Sequence, residues 1–178
     1  LLIAGTNSGV GKTSITCSII YGLTKMGYSI QPFKVGPDYI DPIYLSTISG
    51  NKTHNLDSWL MGKTQIFKTF ISNSLSDISI IEGVMGYYDG YDGNSNLASS
   101  YEIASITKTP VLLVLDASKS ARSIAATALG FQKFAKNSCI RGIILNKIGS
   151  KKHEILCKQA LQKIQDRKST RLNSSHQI

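Results

Sequence analysis

The chain has 178 residues, of which 42% are hydrophobic, so it is long enough for one domain with a packed core. It has no apolar run near the roughly 20 residues that span a bilayer, which excludes a membrane-spanning protein, and we expect a cytoplasmic one. Most of the net charge of +9 lies at one end, where eight Lys or Arg stand against two acids from Lys147 onward. No aromatic residues are interleaved with them, so this charge predicts a solvated face and no nucleic-acid partner.

The predicted elements alternate along the chain between continuously apolar strands and amphipathic helices. Strands are expected at residues 1–4, 29–35, 77–82, 110–117 and 140–147, and helices at 12–26, 64–74, 97–107, 120–136 and 154–164. Residues 36–55 and 83–96 are expected to be loops, because Pro and Gly interrupt them. This order predicts an α/β fold with a mostly parallel sheet covered by helices on both faces.

The stretch GTNSGVGKTS follows the first strand and opens the first helix. Gly9 and Gly11 allow backbone N–H groups to turn toward phosphate oxygens, and the helix N-terminus favours an anion. Lys12 can reach the terminal phosphates, and the hydroxyl of Thr13 can bind Mg²⁺. The predicted ATP-binding residues of this loop are Thr6, Asn7, Ser8, Gly9, Val10, Gly11, Lys12, Thr13 and Ser14.

Two further loops after predicted strands carry acidic residues. In KVGPDYIDP, Lys34 ends a strand and two prolines flank Asp38 and Asp41, which suits a magnesium ion and a phosphoryl acceptor, or simply a turn. In EGVMGYYDG, Glu82 lies at the end of a buried strand, where an acid is costly unless it meets a cation. Asp89 is a second acid in that loop.

Two more strand ends carry polar residues. In ILNKIG, Asn146 can pair with a purine edge, or it can form a turn. Guanine-specific loops have Asp at the fourth position of N-K-x-D; Gly149 stands there, which favours adenine. Asp116 is followed by serines and an arginine that could contact substrate carboxylates or a second subunit, or could cap the next helix with Ser120 as N-cap.

Taken together, these loops resemble the cobyrinic acid a,c-diamide synthase family of glutamine-dependent amidotransferases. The matching stretches, in family order over residues 1 to about 165, are AGTNSGVGKTSIT, FKVGPDYIDP, NLDSWLM, EGVMGYYDG, VLDASKSARS and GIILNK. The first loop also has the G-T-x-x-x-V-G-K-T form of dethiobiotin synthetase-like enzymes. Partition-type switch ATPases carry a second lysine at position 7, where this chain has Asn7.

The resemblance implies a ligase that forms carbon–nitrogen bonds in cobalamin biosynthesis, with ATP and Mg²⁺ as cofactors. ATP would phosphorylate the c and then the a acetate carboxylate of a corrin, and ammonia from glutamine would displace phosphate. Lys12 would stabilise the transferred phosphoryl group, and Asp41 and Asp89 would position the substrate carboxylate or ammonia. Thr13, Asp38 and Glu82 would hold Mg²⁺, while Lys34 would contact the nucleotide and Asn146 would bind adenine.

The resemblance also sets expectations about domains and partners. Residues 1–165 would form the ATP-dependent amidoligase domain, slightly truncated at its start, and the glutaminase domain of the family would be absent. The polar stretch DRKSTRLNSSHQI, residues 166–178, resembles translated sequencing-adaptor DNA and is expected not to be native. A homodimer is a further expectation. Two alternatives stay open: a nickel-sirohydrochlorin a,c-diamide synthase, and a P-loop switch ATPase of the plasmid-partition type.

Overall fold

The structure is a computed structural model that describes residues 1–174, with the side chains of residues 1–164. Strands and helices alternate throughout this part of the chain. The strands are β1 Leu2–Gly5, β2 Ile30–Val35, β3 His54–Leu56, β4 Ile78–Glu82, β5 Val111–Asp116 and β6 Ile140–Asn146. The helices are α1 Lys12–Lys25, α2 Asp41–Ser49, α3 Ser58–Asn73, α4 Ser100–Thr107, α5 Ile124–Phe134 and α6 Lys151–Ser174.

The six strands form one sheet in the order β3-β2-β4-β1-β5-β6. The pairs from β3 to β5 are parallel, with Val35 opposite Leu56, Lys34 opposite Glu82 and Ile3 opposite Glu82. Parallel strands place their carboxyl ends at one edge, so the loops that follow β1, β2, β3 and β4 leave the sheet together. The predicted α/β fold with a parallel sheet is confirmed.

Helices pack on both faces of the sheet, because side chains alternate between the faces along each strand. On one face, Ile3, Ile30 and Ile80 pack with Ile20 of α1 and Leu45 of α2 in a fully buried cluster. On the other face, the ring of Phe33 lies 5.1 Å from that of Phe70 in α3. Burying such side chains supplies the main favourable term in folding, at about 1.5–3 kcal/mol each.

The prediction that residues 36–55 form a loop is wrong, because this stretch contains α2 and the start of β3. Pro42 lies in the first turn of α2, where its missing N–H costs no helical hydrogen bond. Gly50 ends α2 in the left-handed region at φ 73°, and its N–H donates to the carbonyl of Ser46 at 2.9 Å. Pro42 and Gly50 therefore mark the two ends of a helix, although in the sequence they had indicated a loop.

Helices α3, α5 and α6 differ from the sequence prediction by four or more residues at one end. Helix α3 begins at Ser58, six residues early, because Asp57 caps it, and Gly62 interrupts it with φ 72° and ψ 159°. Helix α5 begins at Ile124, so its N-cap is Ser123, whose side chain makes no capping hydrogen bond. The alternative that Ser120 is the N-cap is therefore wrong. Helix α6 continues to Ser174, past the predicted end at residue 164, while residues 175–178 lie outside the described part.

The chain divides into two compact units. The first comprises residues 1–114 and 139–144, and therefore contains β1 to β4, α1 to α4 and most of β5 and β6. The second comprises residues 115–138 and 145–178, with α5 packed on α6. Among the described residues, no helix combines the length and apolar content that crossing a bilayer requires.

Candidate functional site: a phosphate loop beside a buried lysine and carboxylate cluster

The first loop connects β1 to α1 and has the backbone of a phosphate cradle. Gly9 and Gly11 adopt φ 76° and 95°, and Gly11 is the N-cap of α1. A Cβ on Gly5 would lie 2.6 Å from Cγ2 of Val10, so the loop closes too tightly for any other residue there. The shifted first glycine of the motif therefore has a steric reason in this structure.

The predicted nucleotide-binding residues of this loop differ in exposure. Val10 is fully buried in the core, so its side chain shapes the loop from below. The side chains of Asn7, Ser8 and Ser14 are exposed. Thr6 Oγ1 donates to Asn7 Oδ1 at 2.9 Å. The structure thus keeps backbone and short polar side chains on the outer side of the loop, where an anion can reach them.

Lys12 lies at the start of α1 and joins the first loop to the loop after β4. Its Nζ donates to the carbonyl of Asn7 at 3.2 Å and to that of Met85 at 2.6 Å. Burial lowers the pKa of Lys12, and the neighbouring charge of Lys34 lowers it further. The ammonium therefore has only neutral carbonyl partners here, and these can be exchanged for the oxygens of a phosphate.

Glu82 ends β4 and meets Thr13 directly. Thr13 Oγ1 donates to Glu82 Oε1 at 2.6 Å, and the Glu82 side chain is fully buried. Within the described residues its second oxygen, Oε2, is buried without a hydrogen-bond partner. Burial raises the pKa of Glu82 although Lys34 and Thr13 counteract the rise. An orphaned buried carboxylate oxygen next to a hydroxyl fits a hard divalent cation such as Mg²⁺.

Lys34 of β2 is the centre of the predicted acidic cluster. Its Nζ lies 2.7 Å from Asp41 Oδ2, 3.5 Å from Asp38 Oδ2 and 3.4 Å from Glu82 Oε1, and its side chain is only 4% exposed. Burial lowers the pKa of Lys34, but the attraction of Glu82 and Asp41 outweighs it and raises the pKa overall. Asp38, Asp41 and Glu82, predicted separately, are therefore brought together by one ammonium group.

The loop after β2 is fixed by side-chain to backbone hydrogen bonds. Asp38 Oδ1 accepts from the N–H groups of Ile40 at 2.8 Å and Asp41 at 3.2 Å. The amide of Asn55, at the end of β3, donates to the carbonyls of Gly36 at 2.9 Å and Asp38 at 2.7 Å. Burial raises the pKa of Asp38, but these N–H donors and Lys34 outweigh it and lower the pKa overall. Sequence reasoning missed Asn55, because its bonds join residues 17 and 19 positions apart.

The loop after β4 packs against the first loop. Tyr87 N–H donates to the carbonyl of Gly5 at 2.8 Å, and a Cβ on Gly86 would lie 2.7 Å from the carbonyl of Thr6. Asp89 Oδ2 accepts from Gly86 N–H at 2.8 Å. The structure thus places Asp89 beside the phosphate loop, where it also closes its own turn.

Asn146 and Asp116 belong to the second unit. Asn146 ends β6, and its carbonyl accepts from Ala117 N–H at 2.9 Å. Lys147 has φ 57°, and its Nζ lies 2.7 Å from Asp116 Oδ2, which lowers the pKa of Asp116 together with the N–H of Ser118. Asp116 therefore makes an ion pair and a turn, while adenine binding by Asn146 stays a prediction.

No three His, Cys, Asp or Glu side chains converge on a metal position anywhere in residues 1–164. A cation held at the first loop would accordingly need oxygen ligands of other kinds. The Thr13 hydroxyl, the phosphates of a nucleotide and water are such ligands, and Mg²⁺ commonly retains several waters.

Comparison with known proteins identifies relatives over nearly the whole chain. A family model described as the CobQ/CobB/MinD/ParA nucleotide binding domain matches residues 1–174. The chain is 43% identical over 166 residues to a cobyrinate a,c-diamide synthase of Dehalococcoides mccartyi, and 45% over 163 residues to one of Caldanaerobacter subterraneus. It is 41% identical over 165 residues to a hydrogenobyrinate a,c-diamide synthase of Streptomyces coelicolor. These matches cover 91–92% of the chain and 34–36% of the relatives, so the chain spans about a third of their length.

Solved structures share the fold at low sequence identity. The signal recognition particle receptor FtsY of Elizabethkingia anophelis matches 90% of the chain, and 53% of its own length, with TM-score 0.63 and 16% identity. The signal recognition particle 54 kDa protein of Aeropyrum pernix matches 90% of the chain, and 38% of its own length, with TM-score 0.60 and 20% identity. The fold is thus that of a nucleotide-binding P-loop domain. With the family model covering residues 1–174, the chain belongs to the CobQ/CobB/MinD/ParA nucleotide-binding domain family.

Proposed function

We propose that the chain is the synthetase part of a cobyrinate a,c-diamide synthase, which uses ATP to convert two acetate carboxylates of a corrin to amides. The observation that carries this proposal is identity of 41–45%, over more than nine-tenths of the chain, to relatives named as such synthases. Because one of them is named for hydrogenobyrinate, the proposal covers a corrin with or without its metal. No observation favours nickel-sirohydrochlorin or a partition-type switch.

The proposed reaction has two steps. An oxygen of the substrate carboxylate attacks the γ-phosphorus of ATP, ADP leaves, and an acyl phosphate forms. The nitrogen of ammonia then attacks the acyl carbon, inorganic phosphate leaves, and the nitrogen loses a proton. The first step joins two anions and the second joins neutral ammonia to an anionic acyl phosphate, so the protein must provide positioning and, above all in the first step, charge neutralisation.

Lys12 would neutralise charge on the transferred phosphoryl group. Its Nζ is already held at the mouth of the loop by the carbonyls of Asn7 and Met85. Exchange of these carbonyls for γ-phosphate oxygens needs only a side-chain movement, while the N–H groups around Gly9 and Gly11 bind the other phosphates. Asn146 would bind adenine, which makes ATP the expected nucleotide.

Thr13 and Glu82 would hold Mg²⁺, with Asp38 as the third candidate. The unpartnered Glu82 Oε2 and the adjacent Thr13 hydroxyl provide oxygen ligands of the kind Mg²⁺ prefers. Mg²⁺ held by these residues would supply positive charge that offsets the negative charge of the phosphates. Asp38 already accepts two backbone hydrogen bonds through Oδ1, so only Oδ2, which faces Lys34, is oriented toward this site.

Asp41, with Lys34, would position the reacting carboxylate and ammonia. The side chains of Asp41 and Asp38 are 22% and 29% exposed, whereas Lys34 and Glu82 behind them are buried, so Asp41 lies on the open side of the cluster. Its Oδ2 lies 2.7 Å from the Lys34 ammonium, and a carboxylate oxygen at the surface can hold ammonium and accept a proton from it. Asp89, in the loop after β4 and beside the first loop, would also position the carboxylate or ammonia.

Ammonia would come from glutamine through a part of the protein beyond this domain, since the relatives are about three times as long as the matched region. A homodimer is likewise part of the proposal. Neither is needed for the first test, because ammonium salts supply the same nucleophile at high concentration.

The test is phosphate release from Mg·ATP with high ammonium, measured with and without cobyrinic acid, for the wild type and for Asp41→Asn. We expect the corrin to stimulate release in the wild type and to lose this effect in the variant, while ATP affinity stays within about twofold. Stimulation that persists in Asp41→Asn would remove Asp41 from the reaction. ATP binding without any stimulation by cobyrinic acid or hydrogenobyrinic acid would contradict the proposed function.

A further inference from the structure

We propose that exposed aromatic and aliphatic side chains at the carboxyl edge of the sheet form the surface on which the flat ring of the macrocyclic substrate lies. This inference rests on the proposed function and adds to it the residues that hold the ring. The surface, called the ring platform below, consists of Tyr39, Ile40, Trp59, Leu60, Met85 and Tyr91, which are 41–83% exposed. All six lie in the segments that follow β2, β3 and β4.

The platform residues on α3 are exposed yet firmly anchored. Asp57 Oδ1 accepts from the N–H groups of Trp59 at 2.9 Å and Leu60 at 3.2 Å. Ser58 Oγ donates to the carboxylate of Glu102, and both Asp57 and Ser58 are buried. A short helical turn is therefore fixed from beneath by buried polar bonds, while Trp59 and Leu60 project into solvent.

The rings of Trp59 and Tyr91 stack on each other, and both side chains remain exposed. Their ring centroids are 6.2 Å apart and their planes differ by 12°. Tyr91 is held in place because its N–H donates to the carbonyl of Leu97 at 2.8 Å and because Gly90 passes too close to that carbonyl for a side chain. Two large rings that are already oriented lose little conformational freedom on binding, which is the property of an effective contact surface.

The position of the platform indicates which kind of molecule it binds. Tyr39 and Ile40 lie between Asp38 and Asp41, and Tyr91 follows Asp89 by two residues. A cavity of about 350 Å³ lies beside Tyr39 and Ile40, and its lining also includes Asp38 and Val84. A molecule whose carboxylate reaches Lys34 and Asp41 must therefore lay its remaining body against these apolar groups. A flat ring with carboxylates at its rim and an apolar interior matches this combination of charged centre and apolar surround.

The need to amidate two positions of the same ring also favours an apolar binding surface. The relatives are named for two amidations, at the a and c positions, and the first loop provides one phosphate site. The same ring must therefore be presented in two orientations. Hydrogen bonds to one edge would favour one orientation, whereas stacking and apolar contact are nearly indifferent to rotation in the plane. We therefore assign the platform to binding of the ring in both orientations.

The test compares binding and amidation in Trp59→Ala and Tyr91→Ala with matched controls. Tyr28 and Leu75 are exposed too, but they precede β2 and β4 at the amino edge, so Tyr28→Ala and Leu75→Ala remove similar side chains elsewhere. Cobyrinic acid affinity is measured by equilibrium dialysis with Mg·ADP present, and ATP affinity by calorimetry. The KM values for cobyrinic acid and for its monoamide are measured with ammonium as nitrogen source.

We expect cobyrinic acid affinity to fall about tenfold in both platform variants and to stay unchanged in both controls. The KM values for the acid and the monoamide should rise by the same factor, with ATP affinity unchanged, and Trp59→Phe should restore most of the loss. A structural defect would change ATP affinity as well, and a thermal melt identifies it independently.

Three results would overturn the assignment. Unchanged cobyrinic acid affinity in Trp59→Ala and Tyr91→Ala, with normal binding by the wild type, overturns the platform and leaves the proposed function intact. Loss of a wild-type dimer in these variants, without loss of ring binding, assigns the surface to a second copy of the chain. Absence of ring binding and of corrin-stimulated phosphate release in the wild type overturns the proposed function and the platform together.

Discussion

Two lysine–carboxylate contacts of equal length show how strongly burial determines what an ion pair does. Lys34 lies 2.7 Å from Asp41 and Lys147 lies 2.7 Å from Asp116. The Lys34 side chain is 4% exposed and meets three carboxylates, whereas that of Lys147 is 44% exposed and pairs with Asp116 at the surface. In water an ion pair contributes little, but in a buried site an uncompensated charge is expensive. The first contact therefore organises a site, and the second fixes a turn.

The largest expected effect comes from Lys34→Met. The change keeps the length of the side chain but leaves Glu82 fully buried with neither cation nor second hydrogen-bond partner. We expect the free energy of unfolding at pH 7 to fall by about 3–5 kcal/mol, as measured by urea denaturation. The double variant Lys34→Met/Glu82→Gln should recover part of the loss, because it also removes the unpaired charge. Equal stability of the single variant and the wild type would contradict the organising role of Lys34.

The next effect concerns the cation. Glu82→Gln keeps the hydrogen bond from Thr13 but replaces the orphaned charged oxygen by an amide group. We expect the affinity for Mg·ATP to fall about 10- to 100-fold while the affinity for ATP in the presence of EDTA changes little. Calorimetric titration with and without Mg²⁺ measures both. A parallel loss in the two titrations would mean that Glu82 shapes the loop and does not bind the metal.

Asn55→Ala should have an intermediate effect. The Asn55 amide is the donor that holds the carbonyls of Gly36 and Asp38, so its removal frees the loop that carries the acids. We expect a loss of about 1–2 kcal/mol in stability and a higher KM for the macrocycle, with ATP affinity unchanged. Asn51→Ala is a matched control, because the Asn51 amide donates to Ile30 at the amino end of β2. Similar kinetics for both variants would contradict a specific role for Asn55.

The residues of the buried cluster around Lys34 could be predicted from the sequence, but the contacts among them could not. The first loop, Lys34, Asp38, Asp41 and Glu82 were identifiable because each lies directly after or at the end of an apolar strand, where parallel sheets gather their functional groups. That rule predicts at which edge of the sheet these residues lie, but not which of their side chains contact one another. The single ammonium group of Lys34 between three carboxylates could not be derived from it.

The missed side-chain contacts share one physical origin, which is that they join residues distant in sequence. Glu102 meets Ser58 from 44 positions away, and neither residue has a motif of its own. The cap of α3 by Asp57 is a local signal, but Gly62 interrupts the helical period directly after the first turn and concealed its start. Helix α2 was missed for a local reason, since Pro42 and Gly50 were counted as breakers although they occupy the positions where helices accept them.

The smallest effect belongs to Lys147→Met, the exposed counterpart of Lys34→Met. The midpoint of thermal unfolding should stay within about 2 °C of the wild type, because exposed ion pairs contribute little. The remaining contribution should disappear in 1 M NaCl, where the screening length is about 3 Å. The pKa of Asp116 is lowered in the folded protein, so its contribution is present above the ordinary Asp value and is lost as the pH falls through the folded pKa. Paired melts at pH 7 and pH 3 test this sign: the difference between wild type and variant should shrink at pH 3. A loss comparable to that of Lys34→Met would mean that burial does not separate the two contacts.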